Sequence, residues 1–262
     1  MTQPLAPTVG IAIIAKTPEA GKSKTRLSPP LSPQQCAELS ACFIADLGRA
    51  IGGLAAKADV AGYALYTPVG SEDRLRSLLP AAFGLIPQVS GDLGARLLQG
   101  IRDILALGHA AAIIVSSDSP TLPASYFQRA IDRLTVEDCV VLCPALDGGY
   151  AFIGLSRAHA HLFEAMPWST ETVHAETVAR AREIGLPVYD TPMWYDVDDA
   201  TTLAVLQADL DGGPLPFDTP EPRMPAPKTE AYLTALAAVR PPVHQSAPPH
   251  AAYAMTGGAM QS

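Results

Sequence analysis

Short apolar runs of strand length alternate with longer segments of helical periodicity through the first 210 residues, and this alternation constrains the fold most. TVGIAIIA (8–15), ADVAGYALYT (58–67), FGLIPQ (83–88), AAAIIVSS (110–117) and CVVLCPAL (139–146) read as strands. DGGYAFIGL (147–155) turns into another, and LPVYDTPMWYDV (186–197) carries a short one with a loop. Between them lie helical segments at 33–51, 71–79, 91–108, 123–134, 171–185 and 200–210. Ser32 suits the N-cap of the first, Pro123 the first turn of the fourth, and Gly185 the end of the fifth. Strands alternating with helices predict an α/β domain with a mostly parallel central sheet covered on both faces.

From Asp211 onward the composition changes. GGPLPFDTPEPRMPAPKT and PPVHQSAPPHAAYAMTGGAMQS are rich in Pro, Ala and Gly, which reads as linker or tail. TEAYLTALAAVR (229–240) between them suits one helix. The expectation is one domain over 1–210 and a partly disordered C-terminal extension over 211–262.

Composition narrows the function classes. A net charge of −8 argues against a general binder of nucleic acid or acidic membrane, which needs a basic face. Cys36, Cys42, Cys139 and Cys143 form no C-x-x-C pair and read as ordinary reduced thiols. MTQPLAPTVG has no basic region ahead of an apolar stretch, so no secretory signal is expected. No apolar run approaches the roughly 20 residues that a membrane helix needs. These readings predict a soluble cytoplasmic protein.

Within this acidic chain the stretch AKTPEAGKSKTRL (15–27) is locally basic. Its Gly21-Lys22-Ser23 suggests a P-loop, but G-x-x-x-x-G-K-[ST] requires a glycine where Lys16 stands. Pro29, Pro30 and Pro33 also delay the following helix. What remains is a buried strand running into a turn with Lys16, Lys22, Lys24 and Arg26. In a parallel α/β sheet, ligands bind at the carboxyl ends of strands. Lysines act there as point charges on phosphate oxygens, and arginine adds a planar two-pronged donor. A solvated surface loop is the plain alternative.

Carboxylates follow other strands. IIVSSDSPTL (113–122) delivers Asp118 at the end of the most hydrophobic strand, as a metal-binding or catalytic aspartate would be; a turn or cap is the alternative. YDVDDATTL (195–203) offers Asp196, Asp198 and Asp199 before a helix, one of which suits its N-cap. If 196–198 is extended, Asp196 and Asp198 point the same way. In DGGY, Asp147, Gly148, Gly149 and Tyr150 suit either a hairpin turn or close approach to a ligand. PQVSGDLGARL (87–97) brings Gln88, Gly91 and Asp92 to a helix start, where base or ribose contacts are possible. MPWSTETV (166–173) places Trp168, Ser169 and Thr170 as either cap and core or an acceptor wall. The six histidines do not cluster with these motifs and read as structural.

These stretches occur in order across residues 11–203 and together resemble the DUF2064 family. That family is also described as "transferase 1", associated with radical-SAM/selenodomain proteins. It resembles in turn the nucleotide-diphospho-sugar transferase (GT-A) superfamily, with molybdenum-cofactor and phospholactate guanylyltransferases. The resemblance implies a Rossmann-like GT-A three-layer sandwich with a nucleotide over the first strand. By this resemblance Lys16, Lys24 and Arg26 match the phosphate-holding loop, with Gly21 and Lys22 beside them. Asp118 matches the metal-binding aspartate, Asp198 with Asp196 a second metal position, and Asp147, Gly148 and Gly149 the acceptor or sugar side. Ala15-Lys16-Thr17-Pro18 replaces the glycine-rich L-A-G-G-type loop of the guanylyltransferases, which leaves the base open.

Two enzymes fit these residues. One is a nucleotidyltransferase dependent on Mg²⁺ or Mn²⁺, moving an NMP from an NTP to a small phosphorylated acceptor. The other is a glycosyltransferase using an NDP-sugar. The number of cations in the loop favours the first, and the family description favours the second. A non-catalytic nucleotide-binding module is the third reading.

Overall fold

The computed structural model describes residues 9–56 and 59–239. Residues 1–8 of the N-terminal stretch read for a leader, and the whole closing segment 241–262 with His244 and His250, lie outside these residues.

Seven strands form one sheet. They are β1 (Val9–Lys16), β2 (Val60–Thr67), β3 (Gly84–Pro87), β4 (Ala111–Ser116), β5 (Val140–Pro144), β6 (Tyr150–Leu155) and β7 (Val188–Asp190). Their order is β3-β2-β1-β4-β6-β5-β7. All neighbours are parallel except at β6, which runs antiparallel to both β4 and β5. The sheet is therefore mostly parallel, as the alternation predicts. The chain moves outward from β1 to β3 and then returns to pair β4 against β1. That reversal opens a crevice at the carboxyl ends of β1 and β4. Because β6 is reversed, its first residue arrives at the same edge.

The helices are α1 (Pro33–Ala55), α2 (Glu72–Arg76), α3 (Leu93–Ala106), α4 (Ala124–Leu134), α5 (Val173–Glu183), α6 (Ala200–Leu210) and α7 (Pro227–Val239). Alternate residues of the central strands face opposite sides. Ile11, Ile13 and Ile113 enter a core with Leu39 and Phe43 of α1, Phe127 of α4 and Leu206 of α6. Ala12 and Ile114 enter the other, with Leu97, Ile101 and Ile104 of α3 and Ala181 of α5. This makes a three-layer sandwich. Among the described residues no helix is long and apolar enough to cross a membrane, and the four cysteines are free.

Local chemistry sets the helix starts. Ser32 and Gln35 form a reciprocal capping box at α1. Asp92 caps α3 by accepting from the Ala95 N–H at 2.8 Å, and Asp199 caps α6 through the Thr202 N–H at 2.9 Å.

Residues 211–239 pack on the sandwich. The Met224 N–H donates to the Thr121 carbonyl at 2.9 Å, Arg129 pairs with Glu221 at 2.8 Å, and Met224 and Leu233 are buried. The carboxylate of Asp46, buried in α1, accepts from the Lys228 and Thr229 N–H groups at 3.2 and 2.8 Å. It thereby caps the start of α7 from another helix.

Candidate active site

β1 ends at Lys16, and the basic loop leaves the sheet there. Gly21 adopts φ +75°, and the Lys22 and Ser23 N–H groups both donate to the Glu19 carbonyl. Lys24 takes a left-handed conformation, φ 49°, before a 3₁₀ turn at Thr25–Leu27. Leu27 is fully buried and anchors the turn. The loop is thus tied down at both ends, and its cations face the crevice.

Their partners are specific. The Lys24 side chain is only 6% exposed, and its Nζ lies 2.7 Å from Asp118 Oδ2 and 3.1 Å from Asp198 Oδ1. It also donates to the Val197 carbonyl. Arg26 Nη2 lies 2.7 Å from Asp198 Oδ2. Lys22 pairs instead with Glu19 at 2.9 Å, on the exposed side of the crevice. Lys16 has no ion pair among the described residues, and it lines the same space as Lys24 and Arg26. Two of the cations read as a phosphate cradle are therefore held by the aspartates expected opposite them.

The acids come from three places. Asp118 follows β4, where its N–H donates to Ser116 Oγ at 3.2 Å and the Ser117 hydroxyl donates to its Oδ1 at 3.0 Å. The Val197 N–H donates to the Asp118 carbonyl at 2.9 Å, which fastens the 195–198 segment to the end of β4. Val197 is buried while Asp196 and Asp198 both line the crevice, the alternation expected of an extended piece. Asp147 comes from the β5–β6 turn. One oxygen each of Asp147, Asp196 and Asp198 lies within 4.8 Å of the others.

Sequence reading placed Asp118 with Asp196 and Asp198, and Asp147 on the acceptor side. In the structure Asp147 stands beside Asp196 and Asp198, while Asp118 contacts Lys24 at the same crevice. Spacing could not reveal this, because the reversal of β6 is what returns Asp147 to the edge.

Burial drives the Asp196 carboxyl up to about 7, and the neighbouring Asp198, Asp147 and Asp118 add to the shift. Concentrated negative charge of this kind, with oxygen donors only, fits a hard divalent cation. Asp147, Asp196 and Asp198 are the residues that would hold one.

Two connected cavities meet here. The smaller, about 310 Å³, is lined by Lys16, Lys22, Lys24, Arg26, Asp118 and Asp198, with serines and Thr25 between them. The larger, about 740 Å³, shares Lys16, Arg26, Ser117, Asp118 and Asp198 with it. Gln88, Asp147, Gly149, Tyr150, Trp168, Ser169, Thr170 and Asp196 also line the larger cleft. Gln88 uses its amide N–H groups on the Ala15 and Leu65 carbonyls, at 3.2 and 2.8 Å, at the ends of β1 and β2.

Gly21, Gly91, Asp92 and Gly148 line neither cavity, and the first three are exposed. Asp92 is the cap of α3, and Gly148 packs against the Glu171 backbone. The described histidines line neither cavity: His159 is bonded to Asp138, His161 to Glu183 and His174 to Asp190.

Sequence reading missed Arg96, Leu93 and Leu97 of α3, and Ser117 and Glu171. Ser117 is adjacent to Asp118 in SSDSP and was findable. Arg96 had no local signal beyond following the Gly-Asp-Leu-Gly turn.

The similarity of this fold to solved transferase structures makes the chain a nucleotide-dependent transferase. The DUF2064 family model, "Uncharacterized protein conserved in bacteria", matches residues 51–170 and bears out the resemblance carried by the ordered motifs. A structure from Desulfovibrio desulfuricans G20, provisionally named a nucleotide-diphospho-sugar transferase, superposes with a TM-score of 0.74 at 25% identity. The match covers 88% of this chain and 95% of that one. CMP:2-keto-3-deoxy-manno-octonic acid synthetase bound to CTP gives a TM-score of 0.51 at 12% identity, covering 78% and 99% of the two chains. 4-Diphosphocytidyl-2C-methyl-D-erythritol synthase from Anaerococcus prevotii DSM 20548 gives 0.51 at 9%, covering 78% and 96%. These last two share the fold alone. Comparison with curated protein sequences gave no match.

Proposed function

We propose that this chain is a metal-dependent cytoplasmic nucleotidyltransferase that moves an NMP from an NTP to a small phosphorylated acceptor, releasing pyrophosphate. One observation carries the reading. A basic chamber lined by Lys16, Lys22, Lys24 and Arg26, together with Asp118 and Asp198, adjoins the acidic group and opens into a cleft large enough for a nucleoside and an acceptor. A departing pyrophosphate needs cations beyond those that neutralise a diphosphate.

In this reading Lys16, Lys24 and Arg26 bind the polyphosphate, with Lys22 and Gly21 at the rim. Gln88 borders the nucleoside, and the walls from Asp147 to Tyr150 and from Trp168 to Thr170 border the acceptor. Asp147, Asp196 and Asp198 would hold Mg²⁺ or Mn²⁺, with Asp118 orienting Lys24 beside them. When bound, the cation neutralises and polarises the α-phosphate. The residues themselves supply position and charge: the loop offsets negative charge on the leaving group, and the cleft aligns the acceptor for in-line attack. The catalytic unit is 1–210, with 211–262 outside the chemistry.

The name of the Desulfovibrio desulfuricans protein supports a second reading, a glycosyltransferase in which the same cleft takes an NDP-sugar. Thermal unfolding with a panel of NTPs and NDP-sugars, with and without Mg²⁺ or Mn²⁺, separates the two. Stabilisation by a triphosphate, followed by metal-dependent pyrophosphate release with phosphorylated acceptors, is the expected result. A shift with an NDP-sugar and none with any NTP establishes the second reading, and no shift with any nucleotide overturns both.

A further inference from the structure

Both carboxylate oxygens of Asp198 are held by cations of a single loop. Oδ1 lies 3.1 Å from Lys24 Nζ, and Oδ2 lies 2.7 Å from Arg26 Nη2. The same carboxylate belongs to the acidic group with Asp147 and Asp196. Its oxygens cannot serve a divalent cation at full strength while they neutralise two side-chain cations. Lys24 and Arg26 also line the basic chamber, where a polyphosphate would offer them alternative oxygens. Arg26 is 70% exposed and free to exchange its partner, whereas Lys24 is 6% exposed and stays close to Asp118.

We propose that Lys24 and Arg26 are internal placeholder cations on Asp198, and that a polyphosphate draws them away and releases this carboxylate to the divalent cation. Metal and nucleotide therefore bind with positive cooperativity through an exchange of ion pairs. Linkage makes the effect reciprocal, so each ligand tightens the other by the same factor. The inference rests on the proposed nucleotide reading of the basic chamber. It concerns how the site fills, not which group is transferred.

Mn²⁺ binding to nucleotide-free protein, followed by electron paramagnetic resonance, tests the placeholder directly. Arg26→Met should bind Mn²⁺ about two- to fivefold more tightly than the parent, the scale of a partly exposed ion pair. Lys16→Met is the charge control: it removes the same charge from the same two cavities but has no ion pair with Asp198. A clearly smaller gain in Lys16→Met supports the exchange, whereas equal gains, or none for Arg26→Met, overturn it. Arg26 is exposed enough that its variant should remain folded, unlike one at buried Lys24.

A second measurement uses a non-hydrolysable nucleoside triphosphate in EDTA. Asp198→Asn frees the loop cations and should tighten triphosphate binding more than Asp147→Asn does. Equal effects overturn the proposal. If the parent binds no nucleotide under any condition, the functional reading fails while the Mn²⁺ comparison still decides on the placeholder.

Discussion

Lys24 Nζ lies 2.7 Å from Asp118 Oδ2, joining the loop after β1 to the end of β4 across the crevice. The lysine is nearly buried, and this partner and Asp198 are the carboxylates that face it. Removing one partner of a buried pair leaves an incompletely compensated charge. Asp118→Ala should cost about 1–3 kcal/mol by chemical denaturation, softened by the remaining contact with Asp198. It should also abolish transfer. A variant as stable as the parent would mean that Lys24 does not need Asp118.

Asp196 gives a pH signature. Its carboxyl is raised from the ordinary 3.8 to about 7, chiefly by burial and then by three neighbouring aspartates. The folded state therefore holds this proton more tightly than the unfolded state, and stability falls as pH rises from about 4 through 7. Asp196→Asn removes the charge that must be buried. Without metal it should stabilise the protein by roughly 1–3 kcal/mol at pH 8 and by little at pH 4.5. Saturating Mn²⁺ or Mg²⁺ should stabilise the parent more than the variant. Parallel stability–pH curves for the two proteins would refute the assignment.

Gly148 and Gly21 separate two costs that glycine avoids. Both have positive φ, 86° and 75°. A Cβ on Gly148 would stand 2.1 Å from the Glu171 carbonyl oxygen, while one on Gly21 would meet nothing within 4 Å. Gly21→Ala should cost about 1 kcal/mol, the backbone term alone. Gly148→Ala must also push the Asp147 turn away from the Trp168–Glu171 wall, so it should cost more and impair both acceptor and metal binding. Equal destabilisation of the two variants would show that the Gly148 contact relaxes freely.

What sequence made legible was local. Buried runs such as AAIIVS end abruptly at a charge, so Lys16 and Asp118 could be assigned to strand ends without knowing the pairing. Asp196 and Asp198 were legible because extended backbone alternates. Partnership was not legible: Lys24 meets Asp118 and Asp198 only because β1 and β4 are neighbours and Val197 is tied to the end of β4. The first helix reads as 33–51 in sequence, yet α1 continues through Gly52 and Gly53 to Ala55, with Leu54 packed against the core. The helix after Asp211 was legible in TEAYLTALAAVR, but not that its start is capped by Asp46, a residue far away in sequence.

That distant cap can be tested apart from the chemistry. Asp46 is 1% exposed in the middle of α1, an unfavourable place for a carboxylate unless it is hydrogen-bonded. Its two oxygens receive the N–H groups of Lys228 and Thr229, which no earlier turn of α7 can satisfy. The negative charge also suits the positive end of the helix dipole. Asp46→Ala removes the cap and leaves these donors without that partner, so it should destabilise the protein by about 1–3 kcal/mol. Asp46→Asn keeps one accepting oxygen and should cost less. In both variants, hydrogen exchange should accelerate first in α7, whereas Mn²⁺ and nucleotide affinities should stay near those of the parent because Asp46 lines neither cavity. Uniform acceleration across α7 and the central strands would instead mean that residues 211–239 unfold together with the sandwich.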